Sequence, residues 1–240
     1  MSGLSTKDVK TGGGGLPKTI APGAQVLQIN DVELKQFPFM VADEAYYFVM
    51  NVETKPIEGF TGFFFDKDDE AKGSYKGQIG QVKTNRFYYK DGETKSGIPV
   101  SRDMEILKQL KNICLASGNA AMEWFDKVDG KYDTIEEFVD AFNIEKPYAG
   151  KFFNFCVAGK EFERNNGYIG FDLFLPKLSR GTVAFQGDDA KVNKVIAYNE
   201  AEMLTKLAPK EINSFGADGD VEDATAEVFG EGDTPPEFDL

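Results

Sequence analysis

GKFFNFCVAGKEFERNNGYIGFDLFLPK, Gly150–Lys177, decides how this chain folds. Two extended apolar runs flank Asn165–Gly167, and Asn-Gly is the composition of a tight hairpin turn. In the second run Ile169, Phe171, Leu173 and Leu175 alternate with Gly170, Asp172 and Phe174. That period of two puts one face of a strand in a core. A hairpin cannot bury such a face alone, so other strands must come from elsewhere in the chain.

They are legible upstream. AQVLQINDVELKQF (Ala24–Phe37) is apolar and β-branched and reads as a first strand, after which FPFMVADE turns the chain. AYYFVMNVETK (Ala45–Lys55) reads as a second, with Phe48, Met50 and Val52 on one face. FTGFFF (Phe60–Phe65) is a third candidate, and GQIGQVKTNRFYYK (Gly77–Lys90) a further extended segment whose glycines mark bends or close approach. Helices intervene before the hairpin. Ser101 caps a helix whose apolar face is Ile106, Leu107, Leu110, Ile113 and Cys114, and Gly118 stops it. Thr134 and Glu137 form a capping box for a second helix that buries Ile135, Phe138, Val139 and Phe142. Asn199 caps a short third one. Strands, helices, then strands predict an α+β, mostly β fold: a small Greek-key barrel of the OB type with inserted helices. The expected boundaries are a flexible arm at 1–23, a barrel domain at 24–215 and a disordered acidic tail at 216–240.

Composition narrows the chemistry. Of 240 residues 41% are hydrophobic, enough for a core, and 21 are phenylalanine. Histidine is absent, which removes Ser-His and Cys-His nucleophile pairs and histidine metal sites. The two cysteines, Cys114 and Cys156, sit among apolar neighbours and read as buried thiols. No apolar run of about 18 residues occurs, so no membrane span is expected. MSGLSTKDVKTGGGGLPK lacks the apolar stretch of a signal peptide, so a cytoplasmic location is expected. GGGGLPK lacks phosphate-loop spacing. DKDDE (Asp66–Glu70) starts like a calcium loop, but Ala71 stands at the sixth position and Gly77 at the twelfth, so it reads as a solvated turn. No catalytic residue, cofactor or metal is expected.

The segment Lys72–Lys95 mixes cations with aromatics: Lys72, Lys76, Lys83, Arg86 and Lys90 alongside Tyr75, Phe87, Tyr88 and Tyr89. Single-stranded nucleic acid calls for that mixture, because cations neutralise phosphates and aromatic faces take unstacked bases. In a strand Phe87 and Tyr89 face one way while Arg86, Tyr88 and Lys90 face the other. The hairpin adds Lys151, Lys160, Phe162, Arg164 and Tyr168. Either segment also reads as an ordinary amphipathic strand with solubilising lysines.

Net charge is −13, yet nine acids and no base fall in Ala217–Leu240. The chain ends GEGDTPPEFDL, where an aromatic, Phe238, stands among carboxylates. Such a segment reads as a linear motif whose acids seek a basic rim and whose aromatic seeks a pocket. It is also a polyanion that can lie in the protein's own basic groove.

A basic, aromatic barrel followed by a Gly/Asp/Glu-rich tail ending PPEFDL resembles single-stranded DNA-binding proteins, particularly those of bacteriophages. The tip residues Asp233, Pro235, Pro236 and Phe238 match the family's acid-rich tip with a proline pair, and GYIGFDLFLPK looks like its hairpin arm. Asp239 and Leu240 follow the phenylalanine, a departure from a terminal Phe. The resemblance implies a non-enzymatic protein that coats single-stranded DNA in replication and recombination. Asp233, Glu237, Phe238, Asp239 and Leu240 would then recruit a polymerase, helicase-primase or nuclease. The alternatives are a virion assembly protein with docking tails and a carboxylate-dependent enzyme. Self-association is left open by the sequence.

Overall fold

The computed structural model describes residues 18–36, 45–58, 63–64, 74–165, 167–188 and 194–208. Five strands carry the fold: β1 (Gly23–Lys35), β2 (Ala45–Thr54), β3 (Ile79–Lys83), β4 (Phe152–Glu163) and β5 (Ile169–Phe174). β1 pairs antiparallel with β2, and β2 with β3. β3 runs parallel to β5, β5 is antiparallel to β4, and β4 pairs back on β1. The sheet therefore closes into a ring in the order 1-2-3-5-4-1, a barrel-like α+β architecture built mostly of strands.

Alternation fills the ring. Leu27, Ile29, Val32, Phe48, Met50, Val52, Val82, Phe153, Phe155, Val157 and Leu173 are all buried. Ile29 and Val32 both point inward although three residues separate them, because the register shifts between Ile29 and Asp31. Such a bulge leaves backbone groups without ladder partners. The Asn30 carbonyl there accepts from Lys146 Nζ at 2.8 Å, and on the edge where β1 has outrun its pairing with β4 the Asn143 amide donates to the Val32 carbonyl at 2.7 Å while its oxygen accepts from the Val32 N–H at 2.9 Å.

Asn143 is carried by α3 (Ile135–Glu145), which follows α1 (Arg102–Ser117) and α2 (Asn119–Lys127) in the connection from β3 to β4. All three expected caps form, Asn199 accepting from the Ala201 N–H at 3.2 Å. Ser101 accepts from the Met104 N–H, and Thr134 from the Glu137 N–H at 3.2 Å. The Glu137 carboxylate reaches back to the Asp133 N–H, one residue before the cap. Ile106, Leu110, Ile113, Cys114, Phe138 and Phe142 join the barrel's core. Gly118, at φ 99°, ends α1 as expected, but α2 starts at once rather than a loop.

The segment after β5 returns to β4 through β6 (Phe185–Gly187) and, beyond α4 (Glu200–Met203), through β7 (Leu204–Thr205). It builds a second small core outside the ring, with Met203 over Cys156, Ala158 and Phe174. At the other end of the chain, Lys18–Pro22 packs on the barrel. Ile20 is buried and its N–H donates to the Ile79 carbonyl at 3.0 Å. Gly80 makes room for it: a Cβ there would lie 2.4 Å from Ile20 Cγ1. The last residues assigned to the arm thus belong to the domain.

Gly77–Lys90 is not one strand. β3 ends at Lys83, its last rung the Thr84 N–H on the Phe48 carbonyl, which the Thr84 hydroxyl also reaches; bends follow to the short strand Tyr89–Lys90, which pairs with Ala45–Tyr46. Of FTGFFF, Phe63–Phe64 pairs with Ser74–Tyr75 and the rest lies outside the described residues. So do residues 1–17, 66–72 and 209–240, and with them Lys72, DKDDE and the tail. No helix among the described residues is long and apolar enough to cross a membrane.

Candidate nucleic-acid interface

The inward residues of β2 fix its outward ones. Phe48 and Met50 enter the core, so Tyr47 stands on the outer face, as Lys83 does on β3, one position from the core residue Val82. Lys83 Nζ lies 4.6 Å from the Tyr47 ring centroid and 2.7 Å from Asp172 Oδ2 on β5. Asp172 in turn is the register partner of Lys160 on β4. On the other side the Tyr88 ring meets Tyr47 edge-to-face at 6.0 Å, and Lys90 Nζ sits 5.9 Å from the Tyr88 centroid. Lys90, Tyr88, Tyr47, Lys83, Asp172 and Lys160 therefore form one row across the barrel.

Two groups flank the row. Arg86, in the bend after β3, is exposed and lies 5.6 Å from the Phe87 ring and 5.9 Å from the Phe174 ring. Phe162 and Arg164 lean over Gly170, the cross-strand partner of Phe162. A Cβ at Gly170 would come within 2.6 Å of Phe162 Cζ and 2.7 Å of Arg164 Nε, so glycine alone lets both side chains lie across β5. Phe162 is 43% exposed and Tyr168, beside the turn, 72%. Gly167 takes φ 78°, the conformation expected of the hairpin turn.

The electrostatics of the row are set by its one acid. Burial, and after it the Asp172 carboxylate and Tyr88, push the Tyr47 hydroxyl above its ordinary range, so it stays neutral and a hydrogen-bond donor. Lys83 is held between an aromatic face and a carboxylate, with its side chain only 12% exposed. The outer face of β1 and β2 has the opposite character. Asn51 donates to Asp31 and Glu33, Gln81 donates to Asn51, and Lys35 to Gln81. That network disfavours an anion, unlike the hairpin side.

Of the residues singled out from sequence, the structure gathers Lys83, Arg86, Phe87, Tyr88, Lys90, Lys160, Phe162 and Arg164, with Tyr168 at the hairpin tip. Others fall away. Tyr89 is a core residue, 7% exposed, with its hydroxyl 2.9 Å from Thr84 Oγ1, so it offers no stacking face. Burial drives its hydroxyl far above the usual range. Lys151 turns to the Ser117 carbonyl at the end of α1. Lys76 is exposed but lies beyond the opposite end of β3 from Lys83. Tyr75 contributes a backbone position in a short strand. Tyr47 was missed, although the alternation that put Phe48 and Met50 inside already turned it out.

Among the described residues no group of histidine, cysteine or carboxylate side chains is arranged to hold a metal ion. Comparison with family models, curated proteins and solved structures returns no match.

Proposed function

We propose that this protein binds single-stranded DNA without sequence preference, as a non-enzymatic coating protein of replication and recombination, on an OB-type barrel. The ring order 1-2-3-5-4-1 with parallel β3 and β5, and helices placed before the final hairpin, supports the OB reading. OB barrels take oligonucleotides on the face of strands 2 and 3 and on the loops joining strands 1 to 2 and 4 to 5. Tyr47 and Lys83 stand on that face here, and Arg164 and Tyr168 flank the β4–β5 loop.

One observation carries the reading: cations and aromatic rings share a single row, at phosphate-and-base chemistry, on the side of the barrel clear of the Asp31–Glu33 network. Stacking tolerates every base, and phosphate contacts are blind to sequence. The acidic tail, with Asp233, Glu237, Phe238, Asp239 and Leu240, serves partner recruitment, the partners being replication proteins of the cytoplasm. Fluorescence anisotropy with labelled oligo(dT) and with mixed-sequence oligonucleotides tests the proposal. Similar affinities that fall steeply with added salt are expected. Binding that is absent, or flat across the salt series, refutes it.

A further inference from the structure

The barrel carries a second recess, on the opposite side of the Thr84 bend. A pocket of about 380 Å³ opens between α1 and the chain that links β5 to β6. Leu115, Leu178, Val183 and Phe185 give it apolar walls, while Gln109 and Asn112 offer polar ends. Leu115 and Leu178 are 40% and 48% exposed, unusual for leucines that share one concavity. Volume and lining match a site for a ring-sized apolar group with a few polar anchors.

Cations stand next to the lining along the chain. Lys111 lies one helical turn before Leu115, Lys177 precedes Leu178, and Arg180 follows two residues later. All three are exposed, and none makes an ion pair with another described residue. Lys108, nearby on α1, is already paired with Glu105. The acid closest in sequence to the lining, Asp188, accepts from the Asn154 amide.

We infer that this pocket is the docking site of the same molecule's tail tip, Thr234–Leu240, with Phe238 between Leu115 and Leu178 and with Glu237 and Asp239 towards Lys111, Lys177 and Arg180. The tip sets Phe238 between two acids, Glu237 and Asp239, and carries no base to oppose those cations. The span is short. The described chain ends just beyond β7, which pairs with β4 at Gly159–Lys160, whereas β6 pairs at Phe155–Phe153. Those positions are roughly 13–20 Å apart along one strand. About 30 residues separate Ala208 from Phe238, and a random chain of that length spans ~30 Å. Tethering at that length gives an effective concentration on the order of millimolar, so a weak contact is occupied. The contact hides Phe238 until a competing partner draws it out. It stands independently of DNA binding.

Methyl NMR on the full chain tests it. Phe238→Ala removes the ring, so the methyl signals of Leu115, Leu178 and Val183 are expected to shift while those of Leu27 and Val82 stay. The double variant Lys111→Glu/Lys177→Glu, confined to exposed side chains, is expected to move Leu115 and Val183 to the same positions, as is high salt. Dilution should change nothing. Superimposable spectra of wild type and Phe238→Ala overturn the proposal. Signals that move on dilution assign the pocket to a second copy's tail and overturn the intramolecular contact.

Discussion

Asp172→Asn is expected to tighten DNA binding, the opposite of what damage to an interface does. Asp172 sits between Lys83 and Lys160, and its Oδ2 is 2.7 Å from Lys83 Nζ. A phosphate that takes its place on Lys83 would have its charge about 5–6 Å from the carboxylate, given ordinary charge-assisted hydrogen-bond lengths. Repulsion at that distance is about 0.7 kcal/mol in bulk water and several-fold more at the effective dielectric of a protein surface. Screening and the 44% exposure of Asp172 pull the value down, so a gain of ~1 kcal/mol, about fivefold in affinity, is expected. Stability moves the other way by about 1 kcal/mol, since a neutral amide replaces a carboxylate beside a largely covered ammonium. Asparagine keeps an acceptor for Nζ, and the Tyr47 ring still faces the cation. The assay is oligo(dT) anisotropy over a salt series, paired with thermal unfolding. The slope of log affinity against log salt should steepen by ~0.7, one added phosphate contact on a single strand. Unchanged or weaker binding at low salt, in a variant that still melts cooperatively, would show that Lys83 meets no phosphate and that the row is not the interface.

Tyr88→Ala should weaken binding by about 1–3 kcal/mol with little change in Tm, whereas Tyr89→Ala should cost about 3 kcal/mol of stability, the scale of a large core truncation; titration and melting of both variants separate the roles. Gly170→Ala should push Phe162 and Arg164 off β5 and lower affinity, and equal binding with an intact fold would remove the hairpin from the site. Burial, and secondarily Asp126, pushes the Cys114 thiol up to about 12 from 9.0, so the unfolded chain loses that proton first. The resulting stability is fully present below pH 9 and lost as pH rises towards 12; Tm should fall from pH 9 upward, and a flat profile there would contradict it. Deleting residues 217–240 removes nine acids and should tighten DNA binding, most at low salt, as equilibrium titrations at two ionic strengths would report.

The parts of the barrel that sequence revealed are those in which one residue decides its own orientation. Alternation in β2 and the caps at Ser101 and Thr134 are local, and they appear as read, whereas in β5 Ile169 is exposed and Phe174 is buried in the second core. What stayed hidden depends on a partner far along the chain. Nothing near Thr84 shows where β3 runs out, because its last rung, on the Phe48 carbonyl, is 36 residues away. The parallel pairing of β3 with β5 spans the whole helical insertion. Lys151 looked like a phosphate contact until the Ser117 carbonyl was placed beside it. α2 was hidden by a strong signal correctly read: Gly118 does end α1, and at φ 99° it redirects the chain into a new helix instead of a loop.

Why the row lies where it does follows from what covers the rest of the barrel. The outer faces of β4 and β5 begin apolar, with Cys156, Ala158 and Phe174, and the segment through α4 closes over them with Met203 and Tyr198. That cover ends at β7, opposite Gly159–Lys160, where the Leu207 N–H is tied to the Glu161 carboxylate. Past this point the hairpin keeps its apolar character but loses its lid: Phe162, Tyr168 and Ile169 are exposed, with Lys160 and Arg164 among them. Around the barrel in the other direction, the carboxylates of β1 are already engaged by Asn51 and Lys35. Apolar surface left open beside free cations is costly in water unless a ligand offers flat apolar faces and negative charge together. Unstacked bases on a phosphate backbone offer both. The lid's end and the acidic network thus bound the row on its two sides, and Tyr47 and Lys83 lie between them.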